Sequence, residues 1–271
     1  IKLHYAGTFT VKDPYKRVKV MEADEFRRTT IQQYPSGTTL GDAAQSMINM
    51  YPDQSTNWQD EIFRTGLATD QNISVAGKVG FMPFRASVGY NTERGTLRTS
   101  HYDRYTASLN LSPKFLDDHL SLDLNVKGTI NKTRFAESGA VGAAAFFDPT
   151  KPVFNDTGRY NNYWTWETVT ENNGVTSYYP NTLASVNPLA MLEQYRNSGK
   201  TSRSLGNLQV DYKIHGFEEL RVNLNLGYDV AKSTGSRFDV AGSPQAALNT
   251  TFKDIGQGAA WNSLRRNLLL D

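Results

Sequence analysis

Two stretches of the chain alternate apolar and polar residues with a strict period of two. Leu120, Leu122, Leu124, Val126 and Ile130 interleave with Ser121, Asp123, Asn125, Lys127, Thr129 and Asn131. Leu220, Val222, Leu224, Leu226, Tyr228 and Val230 interleave with Arg221, Asn223, Asn225, Gly227 and Asp229. Successive side chains of a strand point to opposite faces, so this pattern specifies a sheet with one apolar and one polar face. Shorter runs repeat it around Leu3–Val11, Ile73–Val75, Phe84–Tyr90, Tyr105–Leu111 and Leu208–Ile214. A helical period explains none of them. The two longest runs exceed the usual strand of about five or six residues and approach the about 9–11 of a tilted membrane strand.

The connections are lopsided. Gly77–Pro83, Pro113–His119 and His215–Glu219 are short, and counting strands puts them at one end of a meander. At the other end lie Thr92–Gly95, the segment 132–200 and the segment 231–262. The second is far beyond an ordinary connection of about four to six residues. Short turns at one end and long loops at the other are how an outer-membrane barrel is built. Two segments read as helices lying off the sheet: Ala23–Tyr34, and Asn187–Tyr195, where a capping Asn precedes Pro188 at the first helical position.

A soluble sandwich alternates as well, with its apolar face inward. Long strands, full charges on the polar face (Asp123, Lys127, Asp211, Lys213, Arg221, Asp229) and the lopsided loops favour a barrel with its apolar face to lipid. Tyr90, Tyr105 and Tyr228 fit interfacial girdles.

Composition removes other classes. Cysteine is absent, which excludes disulfide frameworks, thiolate metal sites and thiol nucleophiles. A net charge of +2 gives no global attraction to nucleic acid. Aromatic residues make up 11%, too many for a disordered chain. The chain opens on Ile1 in strand-like text and stops within the apolar run Leu268-Leu269-Leu270, so residues 1–271 read as one barrel segment cut from a longer chain.

Several motifs then fall in register. Thr56-Asn57-Trp58-Gln59-Asp60-Glu61-Ile62-Phe63-Arg64-Thr65-Gly66 resembles a segment of SusC/RagA-type TonB-dependent transporters. Gln71-Asn72-Ile73-Ser74-Val75-Ala76-Gly77 follows it as in that family, although Ala76 stands where Ser or Gly is frequent. Phe84-Arg85-Ala86-Ser87-Val88-Gly89-Tyr90, Glu93-Arg94-Gly95-Thr96-Leu97 and Tyr102-Asp103-Arg104-Tyr105-Thr106 continue the match, though Met82-Pro83 departs from it. Phe147-Asp148-Pro149-Thr150-Lys151-Pro152-Val153 and Asn187-Pro188-Leu189-Ala190 are similar to landmarks of the family's long loop.

The resemblance implies an all-β fold: part of a large antiparallel transmembrane barrel of about 22 strands with long extracellular loops and a plug in its lumen. Segments 132–200 and 231–262 would be extracellular. It implies TonB-dependent import of a glycan, oligosaccharide or peptide across the outer membrane of a Gram-negative bacterium. The implied partners are a SusD-like surface lipoprotein acting as a lid, the TonB–ExbB–ExbD complex working through a plug absent from this chain, and outer-membrane lipid. It implies no cofactor and no bond chemistry. A passive porin-type barrel and a soluble carbohydrate-binding sandwich are the rival readings.

No nucleophile elbow, phosphate-binding glycine loop or dinucleotide pattern is present. His4, His101, His119 and His215 show no metal-ligand spacing, and Asp117-Asp118-His119 reads as a solvated turn. Asp60-Glu61 reads as a turn or helix start rather than an acid–base pair. The triplet Asn249-Thr250-Thr251 is expected in so Asn-rich a chain. The candidates for substrate contact are Tyr160, Tyr163, Trp164, Trp166, Tyr178 and Tyr179, whose flat rings suit sugar faces, with Asn161 and Asn162 beside them for hydroxyls. The competing reading is that these rings pack the loop itself or meet a protein partner.

Overall fold

The computed structural model describes residues 1–248 and 255–271. The Asn249-Thr250-Thr251 triplet lies outside them, as does part of segment 231–262. Strands β1 (Lys2–Lys12), β2 (Gly66–Val79), β3 (Met82–Arg94), β4 (His101–Leu111), β5 (Lys114–Phe115), β6 (Leu120–Phe135), β9 (Tyr195–Ile214), β10 (Phe217–Asp239) and β11 (Gly258–Leu270) form one antiparallel sheet. Its order is β1-β2-β3-β4-β6-β9-β10-β11, a meander without crossovers, with β5 paired to β6. A separate hairpin, β7 (Glu167–Asn172) and β8 (Val175–Pro180), lies within the β6–β9 connection.

The register carries the alternation from strand to strand. Phe84, Leu111, Leu124, Leu208, Leu226 and Leu270 form one cross-strand row. The next row on that face reads Leu3, Val75, Ala86, Leu109, Val126, Gly206, Tyr228 and Leu268. On β6 the apolar band runs from Leu120 to Ile130. At about 3.3 Å per residue and a tilt near 40°, that is about 25 Å high, the height of a lipid-facing band. No helix or second sheet covers it among the described residues; Val88, Val222 and Leu224 are exposed at 58%, 55% and 37%. A sandwich would need a second layer there. No helix among the described residues is long and apolar enough to cross a membrane.

The ladder extends beyond the limits expected from the sequence. Lys132 pairs with Lys200 and Phe135 with Asn197, so the connection is residues 136–194 rather than 132–200. β10 runs to Asp239 and β11 starts at Gly258, so the last connection is 240–257 rather than 231–262. β3 likewise continues to Arg94. The cause is visible in the register. Above Ile130 the outer face turns polar, with rows Asp103, Lys132, Lys200 and Thr234, then Arg94, His101, Arg134, Ser198 and Ser236. Strands polar on both faces lose the contrast that makes alternation legible. Tyr90 and Tyr105 face each other at that border, ring centres 5.0 Å apart. Tyr228 is no girdle residue. It sits mid-band because β10 is so long, and its hydroxyl meets Ser204 Oγ at 3.0 Å.

The long connections, 13–65, 136–194 and 240–257, and the short link 95–100 leave the sheet at one end, and the turns 80–81, 112–119 and 215–216 lie at the opposite end. The long connections carry the helices α1 (Ala23–Gln33), α2 (Thr39–Asn49), α3 (Trp58–Ile62), α4 (Gly139–Phe146), α5 (Pro188–Glu193) and α6 (Pro244–Ala247). α1 and α5 stand where the sequence placed helices; α2 and α4 were not foreseen. Asn187 caps α5, its Oδ1 accepting from the Leu189 and Ala190 amides at 3.1 and 3.2 Å. The apolar core lies among these connections, not on the sheet: Trp58, Ile62, Ala140, Ala144, Phe147, Trp164 and Leu192.

Candidate functional site

Two surfaces can meet a solute: the polar face of the sheet, and the platform of loops at its long-connection end. On the polar face, hydrogen bonds and ion pairs cross from strand to strand. Ser87 and Ser108 share a 2.7 Å bond. Asp70 accepts from Asn91 at 2.9 Å and lies 3.4 Å from Arg104. Arg203 grips Asp229 through two nitrogens at 2.8 and 2.7 Å, a fork-on-carboxylate geometry that is among the stronger protein hydrogen bonds. Asp123, Lys127, Asp211, Lys213, Arg221 and Asp229 all fall on this face, as the alternation requires.

The platform is built where two distant motifs meet. Thr56 donates through its amide to Pro149 O at 2.9 Å and through its hydroxyl to Lys151 O at 2.7 Å. Trp58 Nε1 donates to Asp148 O at 2.9 Å, and its ring lies 4.5 Å from Phe147. Asp148 folds its own loop, accepting from the Thr150 amide at 2.8 Å and hydroxyl at 2.7 Å. Lys151 is fully buried. Its ammonium donates to Met47 O at the end of α2 and to Thr150 Oγ1, and it lies 3.6 Å from Asp148 Oδ2. Burial pushes the Lys151 ammonium below the usual lysine range, and Asp148 opposes the shift. Asn187 Nδ2 closes the assembly by donating to Val153 O and Trp164 O at 2.9 and 3.0 Å.

The six aromatic candidates divide. Tyr160, Tyr163 and Trp164 are buried in the platform. Trp164 donates to the Tyr51 hydroxyl at 3.2 Å and meets Trp166 edge-on at 4.8 Å. Tyr163 donates to Glu193 at 2.5 Å; burial first, then that carboxylate, raise its pKa. Burial and the charge of Glu167 push Tyr160 up to about 12. Trp166 is half-buried, and Tyr178 and Tyr179 are exposed on β8. Arg159 lies 4.0 Å over the Tyr178 ring while gripping Glu167 at 2.6 and 3.0 Å. The structure therefore does not bring the six rings into one hollow. Asn162 serves the loop itself by accepting from the Gly158 amide, and Asn161 donates to Ala241 O in the 240–257 connection.

His119 and His215 occupy adjacent short turns and stack at 3.9 Å, a pairing the sequence did not announce. Left-handed φ values at Leu116, Asp117 and Asp118 make that segment a tight turn. No group of three or more His, Cys, Asp or Glu side chains is placed to hold a metal among the described residues. Lys151 is the residue that sequence reasoning missed; its place inside the Phe147–Val153 motif is the one available signal.

An antiparallel meander with an apolar face uncovered among the described residues, a hydrogen-bonded polar face and every long connection at one end is a wall segment of an all-β barrel. No protein-family model matches the chain. Over 241 residues, 85% of this chain, it is 34% identical to TonB-dependent receptor SusC of Bacteroides thetaiotaomicron. The fold is similar to a solved structure of the RagAB peptide transporter, with a TM-score of 0.64 over 98% of this chain at 15% identity. It is also similar to the RagAB peptide importer in its closed-closed state, with a TM-score of 0.66 at 14% identity and the same coverage. The chain belongs to the SusC/RagA family of TonB-dependent transporters, as a barrel segment, and the proteins it matches are transporters rather than enzymes. It spans 23% of the length of that curated relative and 31% of each of those solved chains.

Proposed function

We propose that this chain forms part of the wall and the extracellular face of a TonB-dependent outer-membrane importer. The observation that carries the reading is the pairing of an uncovered apolar band about 25 Å high with a polar face laced by Ser87–Ser108, Asp70–Arg104 and Arg203–Asp229. Lipid offers no hydrogen bonds, so such a wall satisfies its backbone strand to strand and turns its polar side chains to an enclosed aqueous path. The platform built on connections 13–65 and 136–194 then faces the cell exterior, where a SusD-like lipoprotein acts as a lid. TonB–ExbB–ExbD acts from the periplasmic, short-turn side through a plug outside this chain. The cargo is a glycan or a peptide, and exposed Tyr178, Tyr179 and half-buried Trp166 are the rings placed to touch it.

The test is uptake by cells carrying the full-length gene, its deletion, and the deletion complemented. Import lost on deletion, and lost again when the proton gradient is collapsed, supports the reading. Import that survives collapse of the gradient replaces it with a passive porin.

A further inference from the structure

Several ion pairs cross the polar face. Lys12 pairs with Glu93 at 2.6 Å, Arg104 with Asp70 at 3.4 Å, Arg203 with Asp229 at 2.7 Å and Arg221 with Asp211 at 3.7 Å. Lys127, like Arg85 and Lys213 on the same face, is in none of these pairs. It stands in the row of Ser74, Ser87 and Ser108 and has no carboxylate within ion-pair reach among the described residues. Beside it is a hollow of about 510 Å³ bounded by Asn72, Ser87, Tyr102, Arg104 and Ser108, among others. Lys127 and Arg104 line that hollow; Arg104 has Asp70 at 3.4 Å, and Lys127 has no such partner.

Two of the side chains that line the hollow lean over a glycine beside it. Gly89 pairs with Asn72 and Thr106, and a methyl group added there would stand 2.5 Å from Thr106 Oγ1 and 3.0 Å from Asn72 Nδ2. The Tyr102 and Thr106 hydroxyls already donate to Asn131 Oδ1 and Gly89 O, and the spare donor belongs to the serine pair. In the Ser87–Ser108 bond one hydroxyl donates and the other keeps its own proton to offer. Lys127 also lies at the height of the apolar band, next to outward-facing Val126. A wall with a low-dielectric face strengthens the attraction between such a cation and an incoming anion.

We propose that this hollow is a carboxylate-binding subsite on the polar face, in which Lys127 and Arg104 hold an acidic group of the transported molecule and Ser87 or Ser108 donates to its oxygens. The proposal rests on the importer reading and deepens it: the cargo carries a carboxylate, as a uronate-bearing glycan or a peptide with a free acid does.

The test measures acetylation of Lys127 by a water-soluble acylating reagent, followed by mass spectrometry, in the purified full-length transporter. Glutarate is the probe and neutral glutaramide its control. Glutarate is expected to slow modification of Lys127 by about fivefold, the effect of one well-placed ion pair. Glutaramide leaves the rate unchanged, and Lys213 at the short-turn end is unaffected by either. Gly89→Ala pushes Thr106 and Asn72 into the hollow and is expected to abolish the protection while Lys127 still reacts. Equal rates with and without glutarate overturn the proposal. So does a Lys127 that is unreactive before any addition, because a carboxylate of the protein itself then fills the hollow. Uptake assays fail or succeed independently of this readout, so loss of the importer reading and loss of the subsite are separate results.

Discussion

The ammonium of Lys151 lies 5.2 Å from the centre of the Trp166 ring, with none of its side chain exposed. The Trp164 ring is 5.8 Å away, and Met47 O and Asp148 complete the cage. A buried charge is tolerated only when paired and hydrogen-bonded, and here the pairing joins α2 to the Phe147–Val153 loop. Removing one partner leaves the other charge stranded. Asp148→Ala is therefore expected to destabilise the platform by about 3–5 kcal/mol. Lys151→Met, which keeps the apolar stem against the two Trp rings, is expected to lose less. Protease cleavage of the 136–194 connection at graded denaturant, in the full-length protein, measures both. Equal losses would contradict the cage.

The aromatic candidates are expected to separate into two kinds. Trp164→Ala removes a buried ring and is expected to lose about 3–5 kcal/mol. Tyr178→Ala and Tyr179→Ala are expected to change stability by about 1 kcal/mol or less, yet to lower uptake. Unfolding and import assays on the same variants distinguish the two. Unchanged import with Tyr178 and Tyr179 both replaced would remove β8 from the substrate path.

Alkali is expected to loosen the platform. Tyr160 and Tyr163 are held neutral, with folded pKa values above the ordinary 10. Their contribution is complete below pH 10 and is lost as pH rises through the folded values, which for Tyr160 is about 12. Tyrosinate absorbance should show a late component coinciding with a change in Trp fluorescence, and Tyr160→Phe should shrink it. Titration of every Tyr together near pH 10 would contradict the burial.

On the sheet, neighbouring positions are expected to respond oppositely. Leu124→Lys places a charge on the lipid face near the middle of the band and is expected to lose about 2–4 kcal/mol. Asn125→Lys, one residue on, faces the polar side and is expected to be nearly neutral. The yield of folded, heat-modifiable barrel reports both.

The sequence shows the band and hides its margins for one reason. Between Leu120 and Ile130 the two faces differ, so period two is plain; at Lys132–Arg134 and Arg196–Lys200 both faces are polar and the period vanishes although the pairing continues. α4, Gly-Ala-Val-Gly-Ala-Ala-Ala-Phe, is apolar all round and offers no amphipathic stripe. In the last turn of α2, Met47 O is held by a lysine 104 residues away. No local pattern encodes that contact. The aromatic cluster was visible, but composition does not say which rings turn inward. Trp164 and Tyr179 read alike until tertiary packing sorts them.

The direction in which each face of the sheet looks decides everything above. Spin labels at Leu124→Cys, Leu226→Cys, Asn125→Cys and Asn207→Cys, in full-length transporter in bilayers with any other cysteine replaced, measure it by relaxation with oxygen and with a water-soluble nickel chelate. The two Leu positions should be relaxed by oxygen, which concentrates in lipid, and the two Asn positions by the chelate. Preference for the chelate at Leu124 and Leu226 would contradict a lipid-facing band.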